Sequence, residues 1–115
     1  MDAARVAELA ARAIVEKKGL EPVILDLRGI TLIADYFVIT SGTSATQVQA
    51  IAGRVEELLG ENGVKLLHRE GWDAARWILL DFGAVVVHIF QEEERRFYDL
   101  ERLWRDARVI KIDAV

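Results

Sequence analysis

Between residues 75 and 90 the chain alternates cleanly enough to be sorted by face. In ARWILLDFGAVVVHIF two strand-like runs flank Gly83, and a period of two puts Ile78, Leu80, Phe82, Val85, Val87 and Ile89 on one side. All six are apolar, so that side is expected to be core. The other side carries Trp77, Leu79, Asp81, Val86, His88 and Phe90, which mixes large apolar groups with a carboxylate and an imidazole. If Phe82 pairs near Val85, Asp81 lies opposite Val86, Leu79 opposite His88 and Trp77 opposite Phe90. From alternation alone the mixed face is expected to be exposed, and a patch of that make-up resembles a protein docking surface. The competing expectation is a covering helix and a satisfied, buried His88.

The rest of the chain divides by the same criteria. Residues 2–18 carry Val6, Leu9, Ala10, Ala13 and Ile14 at helical spacing, with Gly19 and Pro22 as stop signals. Residues 23–28 and 36–41 read as strands joined by a connection over 29–35. Ser44 and Gln47 fit a capping box, and Val48, Ile51, Ala52, Val55, Leu58 and Leu59 form a helical stripe ended by Gly60 and Gly63. A third strand is predicted over 64–70, a loop over 71–75, and the hairpin strands over 76–82 and 84–90. Residues 91–107 read as one helix with Phe97, Leu100, Leu103 and Trp104 facing inward. The expected fold is α/β, with a five-stranded mixed sheet and helices packed mainly on one face. Strand two is expected parallel to strand three, because the helix between them has crossover length. The whole chain, 1–115, reads as one domain. Residues 108–115 read as a tail, flexible or added as an edge strand.

Composition narrows the function. At 115 residues, 52% hydrophobic and 30% charged, the chain is long enough for one core. The absence of cysteine excludes disulfides, thiolate metal sites and cysteine nucleophiles. No apolar run reaches the roughly 20 residues that span a bilayer. The first residues include arginines but also Asp2, Glu8 and Glu16, unlike a transit peptide, so a cytoplasmic location is expected. The net charge of -4 comes with scattered Lys and Arg, which argues against nucleic acid as the first partner and toward a basic protein.

Candidate chemistry is sparse. The run TSGTS (40–44) sits at a strand-to-helix junction where a phosphate could bind, but it lacks the P-loop pattern. A glycine-serine turn of this kind also opens nucleotidyltransferase-like sites, which need two carboxylates on a nearby strand to hold Mg²⁺. The only D-x-D or E-x-E spacing is Glu92 to Glu94, and Asp26 has no partner at that spacing. Capping and turn chemistry is the favoured reading of the run. His68 and His88 fall on different strands without cysteine, which makes zinc improbable. The EEERR run (92–96) reads as a solvated helix start with its acids at the positive end of the helix dipole. Trp104 reads as core, and Trp72 is open between packing and contact.

Three stretches, ADYFVITSGTS, QVQAIAGRVEE and the run from GW through RWILLDFGAVVVHIFQEEERRFYDLERLW, resemble the ribosomal silencing factor family, also called Iojap-related. The resemblance covers most of the chain. It implies a nucleotidyltransferase-like core without catalytic carboxylates, and a protein that is not an enzyme and uses no catalytic residue, metal or cofactor. It implies binding to the fourteenth large-subunit ribosomal protein (L-fourteen), steric blocking of subunit joining, and repression of translation when nutrients are short. Contact with ribosomal RNA is expected to be minor at most, and membrane contact absent. The family's W…LD…VVHIF…R.FY.LE.LW pattern carries a partner-facing role onto Trp77, Asp81, His88, Phe90 and Tyr98, to which the hairpin face adds Leu79 and Val86. Ala84 departs from the pattern, which usually has an acidic residue there, and so loses a charge at the hairpin. Two rival readings remain open at this point: a nucleotidyltransferase-like enzyme or nucleotide-binding module using residues 40–44, and a homodimer that buries the mixed face against a second copy.

Overall fold

The computed structural model describes residues 1–112. Helix α1 (Ala3–Glu16) starts at Asp2, whose carboxylate accepts the Arg5 amide at 2.8 Å. It buries Val6, Leu9, Ala10, Ala13 and Ile14. It ends where the Gly19 amide donates to the Ile14 carbonyl. A Cβ at Gly19 would overlap the Ile14 side chain and come within 2.7 Å of the Thr40 hydroxyl, so only glycine lets β1 (Leu20–Asp26) leave this close to the sheet. Next come β2 (Tyr36–Gly42), α2 (Ala45–Glu61), β3 (His68–Glu70), β4 (Trp77–Asp81) and β5 (Val85–Gln91). The chain closes with α3 (Glu92–Tyr98), α4 (Leu100–Leu103) and β6 (Arg108–Lys111).

The sheet has six strands in the order β3-β4-β5-β2-β1-β6, one more than the sequence reading counts. The added strand is the start of the 108–115 tail, which pairs antiparallel with β1 through Val109 opposite Leu25. Residues 113–115 of that tail lie outside the described residues. The parallel pair is also relocated. β2 runs parallel to β5, with Tyr36 beside Val85 and Ser41 beside Phe90, and not to β3. The crossover through α2 carries the chain past two positions to the far edge, and the β4–β5 hairpin then folds back into the gap. Strand β3 itself is short: of 64–70 only His68–Glu70 is strand, although the Leu67 amide already donates to the Asp81 carbonyl at 2.8 Å.

Helices α1 and α2 pack on one face over Ile78, Leu80, Val85, Val87 and Ile89, the apolar side of the hairpin. The other face holds a second cluster of Val23, Leu25, Leu27, Phe37, Ile39, Val86 and Phe90, with Leu100 and Trp104 laid against it. The single helix expected over 91–107 is broken at Asp99, which takes a left-handed conformation (φ 47°, ψ 56°). An unbroken helix of that length would run about 25 Å in one direction and could not return the chain to β1. The break turns Leu100 and Trp104 toward the sheet but leaves Phe97 and Leu103 exposed, at 79% and 69%, rather than inward as the stripe suggested.

Leu80 is fully buried between the sheet and α2, so Leu80→Ala leaves a cavity and should destabilise by ~2–5 kcal/mol in chemical denaturation. Leu103→Ala, at an exposed position, should stay within about 0.5 kcal/mol of wild type.

Candidate functional site

The hairpin forms in the expected register: Trp77 opposite Phe90, Leu79 opposite His88, Asp81 opposite Val86. Gly83 makes the turn at φ 92°. The Phe82 amide donates to the Val85 carbonyl at 2.9 Å, and the Gly83 amide to the Asp81 carboxylate at 2.8 Å. Asp81 therefore pins the turn as well as standing on the mixed face. Ala84 is exposed, and its carbonyl accepts the amides of Asp35 and Tyr36. That position serves the fold through its backbone, so its side chain is free to differ.

The expectation of an exposed mixed face is corrected. Val86, His88 and Phe90 are buried, Trp77, Leu79 and Asp81 half-buried, and only Tyr98 is exposed, at 48%. The reason is the strand on the far side of β5. β2 places Ile39 beside His88 and Phe37 beside Val86, which widens the apolar area until Leu100 and Trp104 must cover it. The rings interlock. Phe37 meets His88 edge-on at 4.5 Å, and Trp77 lies 4.9 Å from Phe90 and 4.7 Å from Tyr98.

His88 sits beneath this layer as a neutral acceptor. Its Nδ1 receives the Trp77 indole N–H at 3.1 Å, which assigns the proton to Nε2. Nε2 is buried with no partner among the described residues. Burial pushes the imidazole pKa down to about 4. The hydrogen bond fixes the indole plane, and with it the edge that Trp77 shows to solvent.

What remains uncovered is a strip along β4 and β3. His68 pairs with Asp81 and Glu70 with Leu79, so these two exposed residues share the mixed face, while Arg69 between them faces the other way. His68 Nε2 and Glu70 lie 3.4 Å apart. The strip thus comprises Trp77, Leu79 and Tyr98 bordered by Asp81, Glu70 and His68. The sequence predicts a strand over His68 and Glu70 without placing them on this face; their alternate spacing, set against Asp81, is the signal for it.

The TSGTS run is occupied by structural bonds. Thr40 donates to the Leu20 carbonyl at 2.9 Å, Ser44 accepts the Gln47 amide at 3.1 Å, and Gln47 accepts the Thr43 amide at 2.8 Å. The Ser41 hydroxyl accepts from Arg95 at 3.1 Å. Arg95 also donates to the carbonyls of Leu20 and Glu21 at 2.9 and 2.8 Å and pairs with Glu101 at 3.0 Å. The EEERR run is thus not simply solvated. Arg95 reaches back across the end of the sheet to a register shift in β1 where Glu21 has φ 42°. Trp72 packs against α2, with the Arg69 guanidinium 4.6 Å over its ring. Among the described residues no group of three or more His, Cys, Asp or Glu is placed to hold a metal ion.

The arrangement defines an α/β protein whose distinctive surface is an aromatic strip with acidic borders, supported by a covered aromatic layer. Comparison with known proteins is more specific: the chain belongs to the ribosomal silencing factor family, whose model, "Ribosomal silencing factor during starvation", matches residues 1–115. A ribosomal silencing factor of Bacillus subtilis is 44% identical over 113 residues, covering 98% of this chain and 96% of that protein. The mouse protein named "Mitochondrial assembly of ribosomal large subunit protein 1" is 38% identical over 76 residues, 61% of this chain and 32% of its own. The crystal structure of a Chromobacterium violaceum protein superposes with a TM-score of 0.88 at 35% identity, covering 90% of this chain and 87% of the other.

Because His88 is held neutral well below its ordinary pKa of 6.5, the unfolded chain binds the extra proton first as pH falls. Its contribution is fully present above about pH 6.5 and is lost progressively toward pH 4, on the order of 3 kcal/mol in all. Urea titrations between pH 7 and 5 should show this decline. His88→Asn, which keeps an acceptor for Trp77, should flatten it.

Proposed function

We propose that this chain is a translation repressor that binds the large ribosomal subunit through L-fourteen, occupies the subunit-joining face and keeps the small subunit away when nutrients are short. Family membership across the full chain is the observation that carries this reading, and the uncovered strip supports it. Trp77, Leu79 and Tyr98 serve as apolar anchors, with Asp81 and Glu70 as acidic selectors for a basic partner. Val86, His88 and Phe90 belong to the same site from beneath: His88 and Phe90 hold Trp77, Phe90 also backs Tyr98, and Val86 stands beside Asp81, instead of touching the partner. The name of the mouse relative ties a member of this lineage to the large subunit.

The proposed action is steric. A body with principal extents of 35 × 32 × 29 Å on a surface that must make tight contacts excludes the second subunit by volume. No catalytic residue, metal or cofactor enters, and a nucleotidyltransferase-like scaffold would here serve for binding alone, in the cytoplasm where ribosomes assemble. The bonds that occupy TSGTS weigh against the nucleotide-binding alternative, since its hydroxyls and the Thr43 and Gln47 amides are engaged within the chain.

The strip can be tested without disturbing the fold. Trp77→Ala is unsuitable, because it strands the His88 acceptor and opens the aromatic layer. Glu70→Arg with Tyr98→Ala alters exposed groups. This double variant should keep the wild-type melting temperature within a few degrees and lose about 30-fold or more in affinity for isolated L-fourteen. In sucrose gradients, wild type added to separated subunits should reduce joined ribosomes in proportion to large subunits, and the double variant should not. Unchanged joined-ribosome peaks at several-fold excess of wild type would overturn the reading. A dimer that the double variant dissociates would assign the strip to self-association.

A further inference from the structure

Three arginines that form no basic run in the sequence gather on the outer side of α3 and α4. Arg96, Arg102 and Arg105 are exposed, and none makes a salt bridge among the described residues, whereas Arg54, Arg69, Arg76 and Arg95 all do. They border an open hollow of about 580 Å³ that is also lined by Phe97, Tyr98 and Leu103. The Phe97 ring stands edge-on to Tyr98 at 5.1 Å and is 79% exposed. Two carboxylates, Asp99 and Asp106, line the same hollow. Three guanidinium groups against two carboxylates leave the patch positive by one, on a chain whose net charge is -4.

We propose that this patch is an RNA-contacting surface, with the three guanidinium groups on phosphates and the Phe97 ring stacked on an unpaired base. The chemistry fits each component. Guanidinium forks pair with phosphate oxygens, and single-stranded RNA is gripped by aromatic faces beside arginines. The sign of the charge separates this surface from the strip. A basic protein suited to Asp81 and Glu70 would be repelled by Arg96, Arg102 and Arg105. Tyr98 joins the two surfaces, since its ring lies 4.7 Å from Trp77 and 5.1 Å from Phe97. A large subunit offers both kinds of partner side by side, so the proposal rests on the ribosome-binding reading and adds a second contact of opposite charge.

The test measures binding of the full chain to isolated large subunits at fixed Mg²⁺ and increasing monovalent salt, and separately to isolated L-fourteen. Releasing three phosphate contacts should reduce the slope of log affinity against log salt by roughly 2–3 in the triple variant R96A/R102A/R105A. Between 50 and 200 mM salt the wild type should therefore lose about 20-fold more affinity than the variant. Binding to isolated L-fourteen should not change. Phe97→Ala should weaken subunit binding without altering the slope, and the triple Arg→Lys variant should restore most of it.

If wild type binds subunits and the triple variant matches it in affinity and slope, the RNA contact is overturned while ribosome binding stands. If the triple variant also loses L-fourteen, the arginines belong to the protein contact and the proposal fails. If wild type binds no large subunit, both readings fall together.

Discussion

The parallel pairing of β2 with β5 is the constraint from which the remaining architecture follows. All seven residues of β2 are buried, and six of the seven in β5. A strand pair apolar on both faces needs cover on both, as parallel strands generally do. The long helices α1 and α2 cover one side. On the other, the cover among the described residues comes from the short segment after β5: Leu100 and Trp104 pack against the cluster that holds Phe37, Val86 and Phe90, with Trp104 edge-on to Phe37 at 6.1 Å. Coverage stops at β4. The exposed strip is thus the part of a two-sided sheet that a small chain leaves without a lid.

Two anchors make that partial cover rigid. Arg95 bonds to Leu20, Glu21, Ser41 and Glu101, tying the first turn of the covering segment to the irregular start of β1 and the end of β2. At the other end of the same layer the indole of Trp77 is fixed on His88. A surface aromatic held in one orientation loses less rotational freedom when a partner arrives, which is how a small interface gains affinity. Beneath it Nε2, without a partner among the described residues, is the penalty: a buried donor kept because the other nitrogen is needed as an acceptor.

Local patterns carried much of this into the sequence. The helical stripes of α1 and α2, the Ser44 cap and the hairpin register are all short-range, and periodicity alone specifies them. The features that differ from the sequence expectation are decided by distant partners. Which strand lies beside β2 depends on how far a crossover travels, and residues 43–67 carry no mark of that distance. The burial of His88 depends on Phe37 and Ile39 from another part of the chain. The break at Asp99 is a left-handed conformation that Asp tolerates better than most non-glycine residues, but a lone Asp within a helical pattern does not by itself mark a break. In the same way Arg95 reads in the sequence as one more charge in a charged run, and its role appears only once the bulge in β1 is in place.

The distance between the two central strands also sets a timetable. Tyr36 waits about fifty residues of chain for its neighbour Val85. Contacts of such separation form slowly, because the intervening loop must be closed before they gain anything. During synthesis β2 emerges with its outer partner β1 already made and its inner edge bare, while α2 and the β4–β5 hairpin are still to come. The nascent molecule therefore passes through a stage with a long, apolar and unpaired strand edge, the kind of edge that invites wrong partners. The polar run of TSGTS at the end of that strand and the early helix α1 across its face are the protections available at that moment.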